Sequence, residues 1–255
     1  MGRTTGKFLR VYANGYDLSG YTVGIGPLLC EYDTNPMACL TDPVKGSLLG
    51  RPTLGVGTLN GVMDTTALGL HAALSAPGAA RKVMVAIGDA AAPAAGDPVY
   101  TGEFNQLAYS SEPGETMSTV TVPFGKGTPV TGMNYEKPFG VLLHAKGSET
   151  AVNEGSGIEN AAATSGGGYL MYQIFSITGT GTVTISIDES SDDGDEDGYA
   201  ALTGATSGAI ATASAPVAGI VQLATDAAVE QYLRWQIAFG GSASACNFAL
   251  AFIRG

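Results

Sequence analysis

The feature that most constrains the fold is a two-residue alternation of apolar and polar side chains in the second half of the chain. It runs through GTVTISID (181–188), QYLRWQIAF (231–239) and NFALAFI (247–253), while YLMYQIFSIT (169–178) is apolar on both faces. This period matches strands with one buried face, which also predicts that Trp235 lies in the core. TGTG separates two of these segments and GGSAS the other two, so we expect two hairpins. Four such strands are typical of a sandwich or barrel.

The first half contains shorter strand signals and one helix. LRVYA (9–13), VMVAI (83–87), MSTVTVPF (117–124) and FGVLLHA (139–145) are strand candidates. Asp64 precedes TTALGLHAALS, whose leucines recur at helical spacing, and Pro77-Gly78 follows. This pattern predicts a helix over 65–75 with Asp64 as its N-cap. The expected fold class is mainly β, with two β-sandwich or barrel-like halves and one short helix in the first.

A change in composition divides the chain. GKGTPVTGMNYEKP (125–138) is rich in glycine and proline and has no apolar period, so it is the predicted boundary between domains 1–130 and 131–255. We expect a loop over 90–98. The stretches 159–168 and 201–216 consist mostly of small and polar residues, and we expect them to contribute little to a core.

Charge and cysteine content exclude several functions. The net charge is −11 and only 14% of residues are charged, against about 25% on average. The chain has no run of basic residues, which argues against sequence-specific DNA binding. The three cysteines show neither CxxC nor zinc-ligand spacing. There is no signal peptide or long apolar run, so we expect synthesis in a reducing cytoplasm and no membrane contact.

The acidic stretch SSDDGDEDGY (190–199) resembles the start of a calcium loop. Asp193, Asp195 and Asp197 alternate and Gly198 follows, as in an EF-hand. The twelfth position is Gly204 instead of glutamate, and a strand precedes the loop instead of a helix. We therefore expect the solvated tip of a hairpin and predict no metal or cofactor. Weak cation capture by these three carboxylates is the lesser alternative.

No catalytic constellation is recognisable. His71 and His144 lack partners at metal-ligand spacing, and GVGTLNG (55–61) places its last glycine one position late for a dinucleotide-binding loop. There is no nucleophile elbow and no phosphate-binding loop. The sequence therefore predicts that the protein is not an enzyme.

Several stretches, taken in order, resemble tailed-bacteriophage major tail (tail tube) proteins. In the first half these are RVYANGYDLSGYTVGIGPL, TLNGVMDTTALGLHAAL and GDPVY; in the second they are VLLHAKGSETAVNEGSGIENAAATSGGGYLMYQIF, TVTISIDESSDDGDEDGYAAL, VEQYLRWQIAFGG and FALAFIRG. The match spans nearly the whole chain. In that family a Ser-x-Asp-Gly turn lies where Ser191, Asp193 and Gly194 stand, and this chain lengthens the turn with further acids.

The resemblance implies a structural virion protein that self-assembles, as stacked rings of identical copies, into a tube through which genome DNA passes. It implies other tail proteins as partners, assembly in the host cytoplasm and residence in the virion tail. A strand edge or a long loop such as 90–116 could pair with the next copy.

Two alternatives stay open. One is a capsid decoration protein or a baseplate or fibre module, which would not form tubes. The other is a carbohydrate-binding module that uses exposed tyrosines and calcium held by the acidic loop.

Overall fold

A computed structural model describes residues 6–37, 46–89, 91–127 and 137–255, and it is mainly β as expected. Within these ranges there are one α-helix, α1 (Leu70–Leu74), and two 3-10 helices, Gly6–Phe8 and Thr212–Ser214. The strands are β1 Leu9–Ala13, β2 Tyr16–Asp17, β3 Thr22–Ile25, β4 Leu28–Met37, β5 Gly46–Val56, β6 Leu59–Val62, β7 Ala80–Ile87, β8 Pro98–Gln106, β9 Ser110–Glu112, β10 Thr119–Val122, β11 Phe124–Gly127, β12 Phe139–Glu149, β13 Asn153–Glu154, β14 Ile158–Glu159, β15 Gly168–Ser190, β16 Ala200–Thr206, β17 Ile210–Ala211, β18 Val217–Gln222 and β19 Tyr232–Arg254.

The first half is a sandwich built from two sheets. The smaller sheet has the order β3-β6-β10-β9, and it packs against the β1, β5, β7, β8 and β11 part of a larger sheet. Apolar side chains that alternate along these strands fill the space between the sheets, and α1 closes it. The shared core includes Val11, Leu54, Leu59, Leu70, Leu74, Val85, Phe104, Val120 and Val122.

The second half departs from the predicted hairpins. TGTG and GGSAS are not turns, because β15 and β19 each run through 23 residues and pair antiparallel along their full length. The two glycine-containing segments lie opposite one another, with Gly181 facing Gly241. The expectation of two hairpins was wrong because each presumed turn found a strand partner in the other.

The glycine segments bend this long ribbon instead of ending it. Trp235 and Phe248 are 13 positions apart on β19, which would separate them by about 40 Å in a straight strand, yet their ring centroids lie 5.7 Å apart. Gly179 and Gly241 have positive φ angles of 92° and 67° at the bend. The strand therefore folds back, and its two ends supply opposite layers of a sandwich, as the sequence predicted for this half.

An irregularity in the pairing keeps the apolar side chains of β19 on one face through the bend. The buried positions of β19 are odd-numbered before the bend (Leu233, Trp235, Ile237) and even-numbered after it (Phe248, Leu250, Phe252). The pairing register shifts between Thr178 and Gly179, where β19 has one additional residue. One residue inserted into a strand reverses the face of all later side chains, so the shift restores the inward orientation.

The helix and the low-complexity segments also differ from expectation. α1 spans Leu70–Leu74 instead of 65–75, and its N-cap is Gly69, without a side-chain cap. Asp64 does not cap the helix, because its carboxylate accepts the N–H of Thr66 at 2.7 Å and so stabilises the preceding turn. The stretch 201–216 was expected to contribute little to the core, but it contains all but the first residue of β16 and the whole of β17, and it buries Leu202, Ala205 and Ile210.

The two halves are joined by direct contacts. β12 pairs with β8 on one side and with β19 on the other, and a mixed apolar cluster contains Tyr12 and Met84 together with Leu142 and Met171. The N–H of Gly15 donates to Gln173 Oε1 at 2.7 Å. The division into domains 1–130 and 131–255 stays a prediction, and most of the boundary segment, 128–136, lies outside the described residues.

We expect Phe248→Ala to lower the free energy of unfolding by about 3–5 kcal/mol, because it empties the space between the two layers. Urea unfolding followed by the fluorescence of Trp235, the single tryptophan, measures the loss. Val152→Ala is the control, since Val152 is 71% exposed and should change stability by less than about 0.5 kcal/mol. Equal effects of the two substitutions would contradict the fold-back of β19.

Candidate functional site

The most distinctive surface feature is a two-stranded arm formed by β4 and β5. We define the arm as residues 31–37 and 46–53, in which Glu31 pairs with Thr53 and Met37 with Gly46. The seven residues 31–37, six of which have a paired partner, correspond to about 23 Å of strand. The inner end of the ribbon is anchored, because Leu54 and Val56 are buried and Gly55 pairs with Lys126 of β11. In the described ranges, the arm pairs only with itself.

One side of this ribbon is an open sheet edge. β4 is one terminal strand of the larger sheet and β3 is one of the two terminal strands of the smaller sheet, and only Gly26 and Pro27 separate them. Among the described residues, β4 pairs only with β5, and β3 pairs only with β6. The residues of β4 next to the anchored end, 31–34, are solvent-exposed. Open edges of this kind are natural sites for pairing with another chain.

A groove lies beside β3, between the edges of the two sheets. Its volume is about 410 Å³, and its lining includes Lys7, Arg10, Ser19 and Val23. On the opposite wall, Ser19 Oγ accepts the N–H of Val11 at 3.0 Å and so occupies part of the free edge of β1. Val23 on β3 is 74% exposed. We call this feature the β1–β3 groove.

The loop 90–116, suggested above as a pairing element, is not one loop. It contains β8 (98–106), which pairs with β7, β11 and β12 and is therefore an interior strand of the larger sheet. β9 (110–112) is the terminal strand of the smaller sheet. The interior position of β8 removes it as a surface for a second copy, because both of its edges are already used.

The acidic stretch connects β15 to β16, which form a hairpin with Glu189 opposite Ala200. Asp192 organises the tip, since its carboxylate accepts the backbone N–H groups of Asp195, Glu196 and Asp197 at 2.7–3.1 Å. These hydrogen bonds, the one from Glu196 foremost, lower the pKa of Asp192. The loop is therefore built as a solvated, self-bonded turn.

The three residues considered as a cation loop do not share one centre. Asp193 accepts the hydroxyl of Tyr199 at 2.6 Å, and Asp197 accepts the N–H and hydroxyl of Ser191 at 3.1 and 3.0 Å. For Asp195, the described contact is that of its own N–H with Asp192. In the portion of the chain that the structure describes, no three His, Cys, Asp or Glu side chains are grouped to hold a metal ion.

A single arginine fixes the base of the acidic hairpin. The guanidinium of Arg234 pairs with Asp188 at 3.1 Å and with Glu154 at 3.0 Å, and it lies 4.3 Å from the ring centroid of Tyr199. Asp188 is buried, so its charge needs this partner. The alternation of apolar side chains predicted correctly that Trp235 lies in the core. It did not indicate that Arg234 would contact Asp188, Glu154 and Tyr199.

His144 occupies a buried polar position between the layers of the second sandwich. Its imidazole stacks on the ring of Phe248, with ring centroids 4.0 Å apart. It packs edge-to-face against Trp235, with ring centroids 4.6 Å apart. Nδ1 lies 3.2 Å from the Phe248 carbonyl oxygen and Nε2 lies 3.2 Å from a carboxylate oxygen of Glu149. Both partners are acceptors, whereas a neutral imidazole has one N–H donor. Burial lowers the pKa of His144, although Glu149 and the carbonyl act in the opposite direction.

The other candidate residues have structural surroundings. His71 Nδ1 lies 2.9 Å from the Tyr109 hydroxyl on the surface of the first half. Cys246 is buried and unpaired, Cys30 is partly buried and forms no disulfide, and Cys39 lies outside the described residues. The helices in the described ranges are all too short to cross a membrane.

Sequence reasoning missed the arm and the basic side of the groove. The arm belongs to strands β4, LLCEYDTNPM, and β5, GSLLGRPTLGV, and the proline in each segment obscured the strand signal. The sequence did contain one indication of a hairpin here, because two segments of similar length flank a short intervening stretch (38–45). The basic side of the groove consists of Lys7 and Arg10, which do not form a basic run in the sequence. The fold brings them beside β3.

Comparisons with known proteins give little further information. No family model matches the chain, and no curated protein matches it. Among solved structures, the SPP1 Dit (gp 19.1) protein, described as a paradigm of the hub adsorption apparatus in phages that infect Gram-positive bacteria, aligns over 96% of this chain and 99% of its own. The sequence identity is 10% and the TM-score is 0.33. A TM-score of this size does not establish a shared fold, and no functional conclusion follows from it.

We expect the stability of the protein to fall as the pH drops below about 6.5, because the unfolded chain then binds a proton at His144 that the folded chain resists. The folded-state pKa is lowered, so the contribution is complete above the unfolded pKa and is lost below it. His144→Gln should reduce this dependence between about pH 6.5 and the lower folded pKa. Urea unfolding at several pH values checks it. An identical pH dependence in both proteins would contradict the assignment.

Asp192→Ala should loosen the acidic hairpin tip, because three backbone N–H groups lose their acceptor. We expect faster hydrogen exchange at Asp195, Glu196 and Asp197, with exchange in β15 unchanged, measured by NMR. Asp195→Asn is the matched control, since the described hydrogen bond of Asp195 uses its backbone and not its carboxylate. Equal acceleration by the control would show that Asp192 does not hold the turn.

Proposed function

We propose that the chain is a non-catalytic structural protein of a phage tail whose identical copies associate into rings that stack as a tail tube. In this role its partners are further copies of itself and other tail proteins, and genome DNA passes without specific binding. The ordered sequence resemblance set out above is the starting point for this proposal.

The observation that carries the proposal is the arm. Its strand β4, which is solvent-exposed at residues 31–34, lies at one end of the larger sheet, and in the described ranges the arm's backbone pairs only within itself. A two-stranded ribbon is at most marginally stable in water when nothing packs on it. A long open edge also invites pairing with other chains, so a protein that acts alone gains nothing from keeping one. Docking of the ribbon on a second copy would stabilise the ribbon and would also occupy its open edge.

Charge supports the same role. The net charge of −11 and the low content of lysine and arginine make strong, non-specific binding of DNA unfavourable. A conduit for DNA must release phosphates quickly. The acidic hairpin 191–199 adds to this effect wherever it faces passing DNA.

The direct test is negative-stain electron microscopy of the purified protein at increasing concentration, with and without EDTA. We expect rings or tubes of uniform width that survive EDTA, because the acidic carboxylates are engaged within their own loop. Rings that never stack would favour a baseplate or decoration module over a tube. Monomers at every concentration would overturn the proposal.

Shortening the arm should abolish assembly without unfolding the protein. Replacing residues 34–49 with Asn-Gly keeps the anchored end of the ribbon and removes most of its length. We expect monomers by analytical ultracentrifugation, with unchanged Trp235 fluorescence. The matched control replaces 192–197 with the same dipeptide and should assemble as the unmodified protein does. Rings formed by the shortened variant would show that the arm is not required.

A further inference from the structure

We propose that the arm of one copy docks in the β1–β3 groove of the next copy, where β4 adds to the open edge of β3. This inference rests on the proposed assembly and names the two surfaces that would form it. The occupant of the groove is thus a second copy of this chain.

The groove offers what an added strand requires. β3 pairs with β6 on one side, and across the described residues no strand pairs with its other side. The space beside it, about 410 Å³, is bordered by Val23, whose side chain is 74% exposed. An incoming strand would pair with the backbone of β3 beyond Thr22, whose N–H already donates to the Leu18 carbonyl oxygen, and would cover this apolar side chain. Both changes stabilise association.

Charge selects the arm as the strand that fits. Lys7 and Arg10 line the groove, and none of the described residues that line it is acidic. Neither base lies within ion-pair distance of a carboxylate in the described ranges. The exposed part of β4 carries Glu31 and Asp33, one on either side of Tyr32, with Asp33 at an irregularity in the pairing with β5. Arg51 on β5 is the single base of the arm, leaving it a net charge of −1.

The same charges disfavour the simplest competing contact, the pairing of β4 with β4 of another copy. A two-fold pairing centred on Tyr32 would place Glu31 of each copy opposite Asp33 of the other, and like charges directly opposed destabilise a sheet. Docking on β3 instead brings these acids toward Lys7 and Arg10. The arm and the groove are different surfaces, so the contact is head-to-tail, which is the type that generates rings or filaments.

Charge reversal tests the pairing. We expect E31K/D33K and K7E/R10E, each alone, to raise the concentration needed for ring formation at least about tenfold, because like charges then meet at the contact. A 1:1 mixture of the two variants should form rings again, since each arm then faces a groove of opposite charge. The quadruple variant should also assemble. Electron microscopy and sedimentation velocity measure assembly, and Trp235 fluorescence checks folding.

The control is D195K/E196K, which changes net charge by the same amount on the acidic hairpin, away from both surfaces, and should assemble normally. Rings formed by both double variants would overturn this inference while leaving the assembly proposal intact. Loss of rings without recovery in the mixture and the quadruple variant would also overturn it, because the two charge sets would then act separately. Failure of the unmodified protein to assemble would overturn both proposals.

Discussion

The antiparallel pairing of β15 with β19 is the contact on which the second half of the molecule depends. Each strand has 23 residues, and every further strand of that half is attached to one of the two. Because the ribbon bends at its glycines, a single ladder supplies both layers of the sandwich, and Trp235 meets Phe248 across them. The bend requires positive φ at Gly179 and Gly241, a conformation that other residues adopt at a cost. Glycine thus determines the layered form of this half, and the alternating side chains stabilise it.

The same ribbon also ties the two halves together. Gln173 on β15 accepts the N–H of Gly15 and donates to the Lys82 carbonyl at 2.9 Å, so one buried amide satisfies backbone groups of the first half. At the surface, Lys146 pairs with Asp17 at 2.6 Å and lies 4.9 Å from the ring centroid of Phe175. Burial opposes ionisation of Asp17, but its hydrogen bonds with Lys146 and Ser19 lower its pKa overall. Movement of one half against the other would break these bonds.

Local pattern predicted the long strands of the second half but missed β4 and β5, and it predicted the connections between strands poorly. The alternation gave the buried faces of 181–188 and of β19 correctly, because side-chain period is a property of the strand alone. It could not show that TGTG and GGSAS face one another, since a glycine pair has the same local signature in a turn and in a paired bend. The cation loop raised the same difficulty: three alternating aspartates match a ligand pattern, but two of them accept hydrogen bonds from Tyr199 and Ser191 within the loop. The arm and the groove become visible only once distant segments meet.

Acidic residues have two different roles on the surface of this protein. In the hairpin 191–199 the carboxylates of Asp192, Asp193 and Asp197 are bonded within the loop, so they maintain its shape and repel phosphates. On β4, Glu31 and Asp33 lie along an open edge, where charge discourages indiscriminate pairing. A charged edge is protected from random strands yet remains attractive to a surface of opposite sign. The same two side chains would thus prevent aggregation of free copies and select the β1–β3 groove as partner, because repulsion from wrong partners and attraction to the correct one are two consequences of a single charge pattern.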